Sequence, residues 1–314
     1  MRLSPRALDR FAVLLFVGAA ATVAPALDAR AAEAPKVPVA AAAALPKVPT
    51  APAVVSGEWL QASLDAKNVV LLDARPMRDF LPSHIPRAQS LTPDNLRSTS
   101  GGVPATTYPP EILGVVFARA GVTFESHLVV YGAESDNDAT YVATAALIAG
   151  AEKVSILDGG FSRWITEARA TTKERLLSPL VKPGLRGDTS LLVPIEEVRR
   201  RLGDGKTVFL DVRSEESWAA GHIPGAKNRI WKKDVDGGSF RPEAVTRAEL
   251  EAAGISWDKP VVVYCNSGHQ ASEGFYTLKV RLGHPDVRLY QGSWLEWSMT
   301  PDTPRETSTP VEPK

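Results

Sequence analysis

Two stretches of the chain repeat one another, and this repeat constrains the fold more than any other feature. The first contains Val70-Leu71-Leu72-Asp73-Ala74-Arg75 and then His84-Ile85-Pro86-Arg87-Ala88. The second contains Val208-Phe209-Leu210-Asp211-Val212-Arg213 and then, at the same spacing, His222-Ile223-Pro224-Gly225-Ala226. Further along, Leu128-Val129-Val130-Tyr131 matches Val261-Val262-Val263-Tyr264. Self-similarity of this kind predicts two copies of one domain.

Within each copy, short apolar runs alternate with segments of helical periodicity. In the second copy we expect strands at 207–211, 261–264 and 287–290, and helices at 195–202, 247–253 and 271–282. This alternation predicts an α/β fold with two tandem domains, each a mainly parallel sheet with helices on both faces. In open sheets of this type, functional sites lie beyond the carboxyl ends of the strands.

Segments outside the two copies differ from them in composition and set the domain boundaries. From Ala32 to Pro52 the chain is almost wholly Ala, Pro, Val and Lys, which is typical of a linker. We therefore divide the chain into a signal peptide (1–31), an Ala/Pro-rich linker (32–53), an N-terminal domain (54–168), an interdomain linker (169–189), a C-terminal domain (190–300) and a flexible tail (301–314).

The N-terminal segment has the order of a secretory signal. Arg2, Arg6 and Arg10 precede an apolar run, and small residues follow around Ala29-Arg30-Ala31. We expect cleavage within 29–33 and a periplasmic or secreted protein without stable membrane insertion. The alternative is an uncleaved anchor, but the apolar run is interrupted by Pro25 and is short for a span of about 20 residues.

Charge and cysteine content limit the possible partners. The 36 basic and 36 acidic side chains cancel, so nothing indicates nucleic acid or an acidic membrane as a partner. A single cysteine excludes an intramolecular disulfide, and the five histidines are scattered without metal-ligand spacing. We expect no metal site.

That single cysteine, Cys265, ends a strand of buried type and is followed by a short polar loop. The loop contains Gly268, and a helical pattern begins at Ala271. A strand, a tight loop and a helix N-terminus form an anion cradle, because loop N–H groups and the helix dipole favour negative charge. We therefore expect a nucleophile that ionises more easily than a free thiol, whose pKa is about 8.5. The alternative is a structural cysteine at the end of a core strand.

Together these motifs resemble the rhodanese family, specifically its tandem-domain sulfurtransferases. The resemblance rests on Asp211-Val212-Arg213, on Gly221-His222-Ile223-Pro224-Gly225-Ala226, on Tyr264-Cys265-Asn266-Ser267-Gly268-His269-Gln270-Ala271, and on Gln291-Gly292 followed by Trp294. It implies that Cys265 carries sulfane sulfur as a persulfide, that the second domain is the active one, and that no metal or organic cofactor is needed. The substrate-binding residues it implies are Asn266, Ser267, Gly268, His269, Gln270 and Ala271.

Supporting residues are less distinctive than the cysteine loop, by which we mean residues 265–271. Asp211 and Arg213 recur as Asp73 and Arg75 in the first copy, which favours a structural ion pair over catalysis. His269 has no counterpart there and is either a surface residue or an aid to catalysis, as a proton donor or a positive charge near the persulfide. Residues 231–233 either border the cleft or form a solvated basic run.

The first copy lacks the nucleophile. Gly132 stands at the position of Cys265, and Glu134, Asp136 and Asp138 follow it. Three carboxylates would repel an anionic substrate, so we expect a catalytically silent domain in which substitution of Asp136 or Asp138 changes activity little. It either covers the cysteine loop and shapes the cleft or only solubilises the protein.

The expected reaction is a double displacement between two small molecules, a sulfur donor such as thiosulfate and a thiophilic acceptor such as cyanide or a thiol. One alternative is a sulfur carrier without rapid turnover, and another is a 3-mercaptopyruvate-specific sulfurtransferase. A phosphatase or arsenate reductase is disfavoured, because such loops are one residue longer and end in an Arg clamp, whereas Ala271 and Ser272 stand here.

Overall fold

The computed structural model describes residues 52–100, 102–178 and 180–308, and they contain two similar α/β domains. The predicted signal peptide, nearly all of the Ala/Pro-rich linker and the end of the tail lie outside these residues. In the part that is described, no helix is long and apolar enough to cross a membrane.

The first domain is built on a five-stranded parallel sheet of order β1-β7-β6-β2-β3, with a separate antiparallel hairpin, β4-β5. Its strands are β1 (Val54–Val55), β2 (Val69–Asp73), β3 (Gln89–Ser90), β4 (Arg97–Ser100), β5 (Val103–Thr107), β6 (His127–Tyr131) and β7 (Lys153–Leu157). Its helices are α1 (Gly57–Ser63), α2 (Met77–Phe80), α3 (Pro110–Arg119), α4 (Asn137–Ile148) and α5 (Gly160–Thr166).

The second domain repeats this plan with a parallel sheet of order β13-β12-β8-β9 and an antiparallel hairpin, β10-β11. Its strands are β8 (Val208–Asp211), β9 (Lys227–Asn228), β10 (Val235–Asp236), β11 (Ser239–Phe240), β12 (Val261–Tyr264) and β13 (Val287–Leu289). Its helices are α6 (Ile195–Arg201), α7 (Glu215–Ala220), α8 (Glu243–Ala252), α9 (Ala271–Tyr276) and α10 (Ser293–Met299).

Two of the predicted helices differ from those observed. The helix predicted at 247–253 begins a turn earlier, at Glu243, because Pro242 has a fixed φ and supplies the residue before the first turn. The helix predicted at 271–282 is α9 followed by one π-helical stretch, Thr277–Arg281. Such π turns insert an extra residue, a change in period that apolar spacing does not reveal.

Alternating side chains of the central strands bury both faces of each sheet. In the second domain, Phe209 and Val262 pack with Trp297 of α10 on one face. Leu210 and Val263 point to the other face, toward α8 and α9. The prediction of parallel sheets covered by helices on both faces is confirmed, and it follows from the period-2 alternation of buried strand residues.

The two domains share one apolar core. The cluster that holds Val142 of α4 also holds Phe275 of α9, so these two helices pack against each other across the domain boundary. The Oγ1 of Thr140 lies 3.2 Å from the Oγ of Ser272 at this contact. The first domain therefore lies directly against the helix that follows the cysteine loop.

Candidate active site

The cysteine loop wraps its own backbone around the thiol. Cys265 is 1% exposed, and the N–H of Gly268 donates to its Sγ at 3.1 Å. Gly268 has φ of +85°, and a Cβ at this position would lie 2.7 Å from the carbonyl oxygen of Gln291. Only glycine tolerates both that dihedral and that close approach. The tight loop predicted from the position of Gly268 is thus present.

A second segment, 291–295, braces the loop from behind. The N–H of Cys265 donates to the Oγ of Ser293 at 3.2 Å, and the N–H of Trp294 donates to the carbonyl of Cys265 at 3.0 Å. Leu295 N–H donates to the carbonyl of Asn266 at 2.9 Å. Ser293 was not among the predicted site residues, although it stands between Gln291-Gly292 and Trp294, which carry part of the family resemblance. These bonds fix the loop where β12 ends, at the carboxyl edge of the sheet.

Burial raises the pKa of the Cys265 thiol above the ordinary cysteine value, although the backbone N–H groups of Ser267, Ala271 and Gly268 oppose this shift. The expectation of a thiol that ionises more easily than a free one is therefore wrong. The reason is desolvation. A thiolate that is withdrawn from water loses more stabilisation than the three backbone N–H donors give back. The N–H groups of the loop lower the pKa of the thiol, but by less than burial raises it.

Asp211 and Arg213 form an ion pair that anchors the backbone next to the site. The Arg213 Nη2 lies 2.6 Å from the Asp211 carboxylate and donates to the carbonyl of Gly221 at 2.7 Å. In the first domain, Arg75 makes the same bond to Asp73 at 2.6 Å and donates to the carbonyl of Ser83. The identical geometry in both domains is that of a structural anchor.

A cavity of about 330 Å³ opens beside the cysteine loop, and we call it the cleft. It is lined by Arg213, Ser214, Ser217, Ile230, Trp231, Lys232, Asn266 and Gln270. Two of the predicted substrate-binding residues, Asn266 and Gln270, therefore border an open space, whereas Ser267, Gly268 and Ala271 direct backbone N–H groups at the sulfur. Of the basic run at 231–233, the structure places Trp231 and Lys232 on the cleft.

His269 connects the loop to the first domain. Arg97 Nη1 lies 2.9 Å from the ring Nδ1, and the Nε2 lies 2.9 Å from the carboxylate of Asp138. A guanidinium can only donate, so Nδ1 accepts from Arg97, whereas Nε2 approaches the Asp138 carboxylate without the alignment of a hydrogen bond. Its role as a proton donor or a positive charge near the sulfur stays a prediction.

Two first-domain residues thus take part in the site's architecture. The sequence does not indicate Arg97, because this residue lies 172 positions from His269 and belongs to no shared motif. The Asp138 carboxylate lies 2.9 Å from the Nε2 of His269, and the expectation that its substitution changes activity little stays a prediction. These contacts do not fit the alternative in which the first domain only solubilises the protein.

Asp136 fills the position where the first domain lacks a cysteine. Its carboxylate accepts from the N–H groups of Ala133 at 3.0 Å and Ala139 at 3.1 Å, and a Cβ on Gly132 would lie 2.1 Å from its Oδ1. Burial raises the pKa of Asp136. The loop of the first domain thus directs backbone N–H groups at a carboxylate, whereas the loop of the second domain directs them at a sulfur.

The chain is similar to known proteins over both of its domains. The family model described as a rhodanese-like domain matches residues 56–167 and 194–300. A thiosulfate sulfurtransferase of Azotobacter vinelandii is 30% identical over 81% of this chain and 97% of its own length. The sulfur carrier protein TtuD of Thermus thermophilus is 31% identical over 78% of this chain and 93% of its own.

Among solved structures, the chain resembles SseA from Escherichia coli, described as a 3-mercaptopyruvate sulfotransferase with the rhodanese fold. The TM-score is 0.72 at 26% identity, and the match covers 77% of this chain and 99% of that one. The likeness therefore extends over both domains, in their order.

Proposed function

The chain belongs to the rhodanese-like domain family and is a sulfurtransferase-like enzyme with two such domains, and from that premise we propose that Cys265 moves sulfane sulfur from thiosulfate to cyanide or a thiol. The observation that carries this proposal is the geometry at Cys265: the chain's single thiol lies at the carboxyl edge of the sheet inside a ring of backbone N–H donors. Such donors stabilise an anionic sulfur without any metal.

In the first half-reaction the Cys265 thiolate attacks the outer sulfur of thiosulfate. A new S–S bond forms, the S–S bond of thiosulfate breaks, and sulfite leaves with the electron pair. The product is a Cys265 persulfide whose terminal sulfur carries the negative charge. Because burial raises the pKa of the thiol, the loop N–H groups are most needed to hold the charged thiolate that starts this step.

In the second half-reaction the acceptor attacks the terminal sulfur of the persulfide. With cyanide, a C–S bond forms, the persulfide S–S bond breaks, and thiocyanate leaves while the electron pair returns to Cys265 as thiolate. A thiol acceptor, after losing its proton, reacts in the same way and leaves as a persulfide. Both halves use one cleft, which predicts ping-pong kinetics.

Cys265→Ser tests this proposal directly. We expect the variant to fold like wild type and to lose all detectable thiosulfate:cyanide transfer, because a hydroxyl cannot form a persulfide. Mass spectrometry of wild type after thiosulfate treatment should show one added sulfur on the peptide that contains Cys265, and cyanide should remove it. Full activity in Cys265→Ser would refute the proposal.

A second candidate is a sulfur carrier that loads and delivers one sulfur without rapid turnover, and the similarity to TtuD favours it. The two candidates differ in rate. A carrier would form the Cys265 persulfide in a single step and show negligible steady-state thiocyanate production, whereas the enzyme would turn over many times. A 3-mercaptopyruvate donor is the remaining variant, and a comparison of kcat/KM for the two donors separates it.

We also propose that residues 1–31 direct export and that the protein acts in the periplasm or outside the cell. The support is the order of basic, apolar and small residues in that segment. N-terminal sequencing of the protein from its native host should find a start near Ala31–Ala34, and an intact N-terminus would overturn this.

A further inference from the structure

The two domains carry opposite charge at one repeated position beside their clefts. Lys232 is the second residue of the 3₁₀ turn Trp231–Asp234, and Asp94 is the second residue of the corresponding turn, Pro93–Asn95. Both turns follow the repeated His-Ile-Pro motif at the same spacing, so the two positions are equivalent. We propose that Lys232 is the residue that recognises the anionic sulfur donor, an inference that rests on the proposed function.

Lys232 provides the positive charge in the cleft that no carboxylate of the described residues neutralises. The charged residues that line the cleft are Arg213 and Lys232. The guanidinium of Arg213 is 6% exposed and is paired with Asp211 at 2.6 Å. Lys232 is exposed and has no ion-pair partner within the described residues, and its Nζ lies 5.9 Å from the centre of the Trp231 ring, which also lines the cleft.

The corresponding cavity of the first domain, about 360 Å³, is lined by carboxylates instead. Asp94 and Asp138 both border it, and its one cation, Arg97, is bonded to Asp94 at 2.5 Å and to His269. Two cavities of similar size and equivalent position thus differ in the sign of the charge they offer a ligand. A small dianion such as thiosulfate is attracted to the second and repelled by the first.

An exposed lysine should act on donor binding more than on the chemical step. It is exposed and lines the cleft, whereas the thiol is buried. Removal of its charge should therefore raise KM for thiosulfate and leave kcat nearly unchanged. The effect should weaken as ionic strength rises, because exposed charges are screened over about 10 Å at 0.1 M salt.

The experiment compares Lys232→Met and Lys232→Asp with Lys233→Met and Lys233→Asp. Lys233 is the adjacent exposed lysine and does not line the cleft, so it controls for net charge. At low salt we expect KM for thiosulfate to rise about 5- to 20-fold in Lys232→Met and further in Lys232→Asp, with less than a twofold change in the Lys233 variants. Equal effects at both positions would overturn the inference.

A second readout does not depend on sulfur transfer. Iodoacetate is an anion and iodoacetamide is neutral, and both reagents alkylate thiols. Lys232→Asp should lower the iodoacetate rate relative to the iodoacetamide rate by about tenfold, whereas Lys233→Asp should leave the ratio unchanged. An unchanged ratio in Lys232→Asp contradicts the inference, while an inactive wild type with the expected ratio contradicts only the proposed function.

Discussion

At the scale of single residues, His269 joins the cysteine loop to the other domain. Its ring nitrogens meet Arg97 and Asp138, and its ring lies 4.9 Å from that of Tyr141, centre to centre. All three partners come from the first domain. Because the ring follows the loop glycine directly, whatever fixes the ring also fixes the last part of the loop. The structure therefore supports a positioning role, carried by contacts across the domain boundary.

His269→Ala and Arg97→Met should each lower kcat/KM by about tenfold, and the double variant should lose little more, because residues of one network are not additive. Both remove the same contact, and the backbone cradle remains. Steady-state kinetics measure this, with Arg119→Met, an exposed arginine of α3, as the matched control. If Arg97→Met keeps full activity while His269→Ala does not, the ring acts on the sulfur directly.

At the scale of elements, each domain extends its small hairpin toward the equivalent loop of the other. Arg97 of the β4-β5 hairpin reaches His269 in the loop after β12. Reciprocally, the carbonyl of Gly238, in the turn of the β10-β11 hairpin, accepts from the N–H of Ser135 at 2.8 Å in the loop after β6. The interface is thus approximately symmetric, although only one of the two loops carries a thiol.

Gly132→Cys should not create a second active site. In the Cys265→Ser background we expect no sulfur transfer, because the Asp136 carboxylate fills the loop, accepts from its N–H groups and lies 2.1 Å from the site of the new Cβ. The substitution should also lower the free energy of unfolding, since that contact must be relieved. Thiocyanate production and urea unfolding measure both effects, with Cys265→Ser alone as the control. Recovered turnover would show that the loop's carboxylates do not silence the domain.

At the scale of the whole molecule, the shared core encloses an acidic group that the proposed chemistry does not use. Glu273 of α9 is fully buried, and within the described residues neither of its carboxylate oxygens has a hydrogen-bond partner. Burial raises its pKa well above the ordinary glutamate value, and the neighbouring Asp234 adds to this while Arg281 opposes it. The folded protein therefore favours the neutral acid at this position.

This carboxyl makes stability depend on pH. Since its folded pKa is raised, its contribution is fully present below the unfolded glutamate pKa of about 4.3 and is lost as pH rises toward the folded pKa. Glu273→Gln, which is neutral and of similar shape, should lose the part of the decline that begins near the unfolded pKa of about 4.3. Urea unfolding at several pH values tests this, with the exposed Glu111→Gln as control. Superimposable profiles for wild type and Glu273→Gln would contradict it.

The sequence by itself determined the repeated α/β plan and the position of the nucleophile. Both depend on local pattern: buried strands read as apolar runs, and Cys265 had to lie at a strand end followed by a glycine and a helix start. Gly268 was identifiable because a tight loop at that point needs a residue that tolerates positive φ. The anchoring pair of Asp211 and Arg213 was identifiable because the repeat displays it twice.

Only the tertiary structure decided what surrounds that nucleophile. Arg97 meets His269 through the packing of two domains, and no periodicity links residues so far apart in the chain. Asp136 fills the silent loop because of the three-dimensional path of its backbone. The raised pKa of Cys265 follows from burial beneath the loop, a quantity that a linear pattern of donors does not contain. Electrostatic interactions, desolvation and contacts depend on distances in space. These distances are set only when the chain folds.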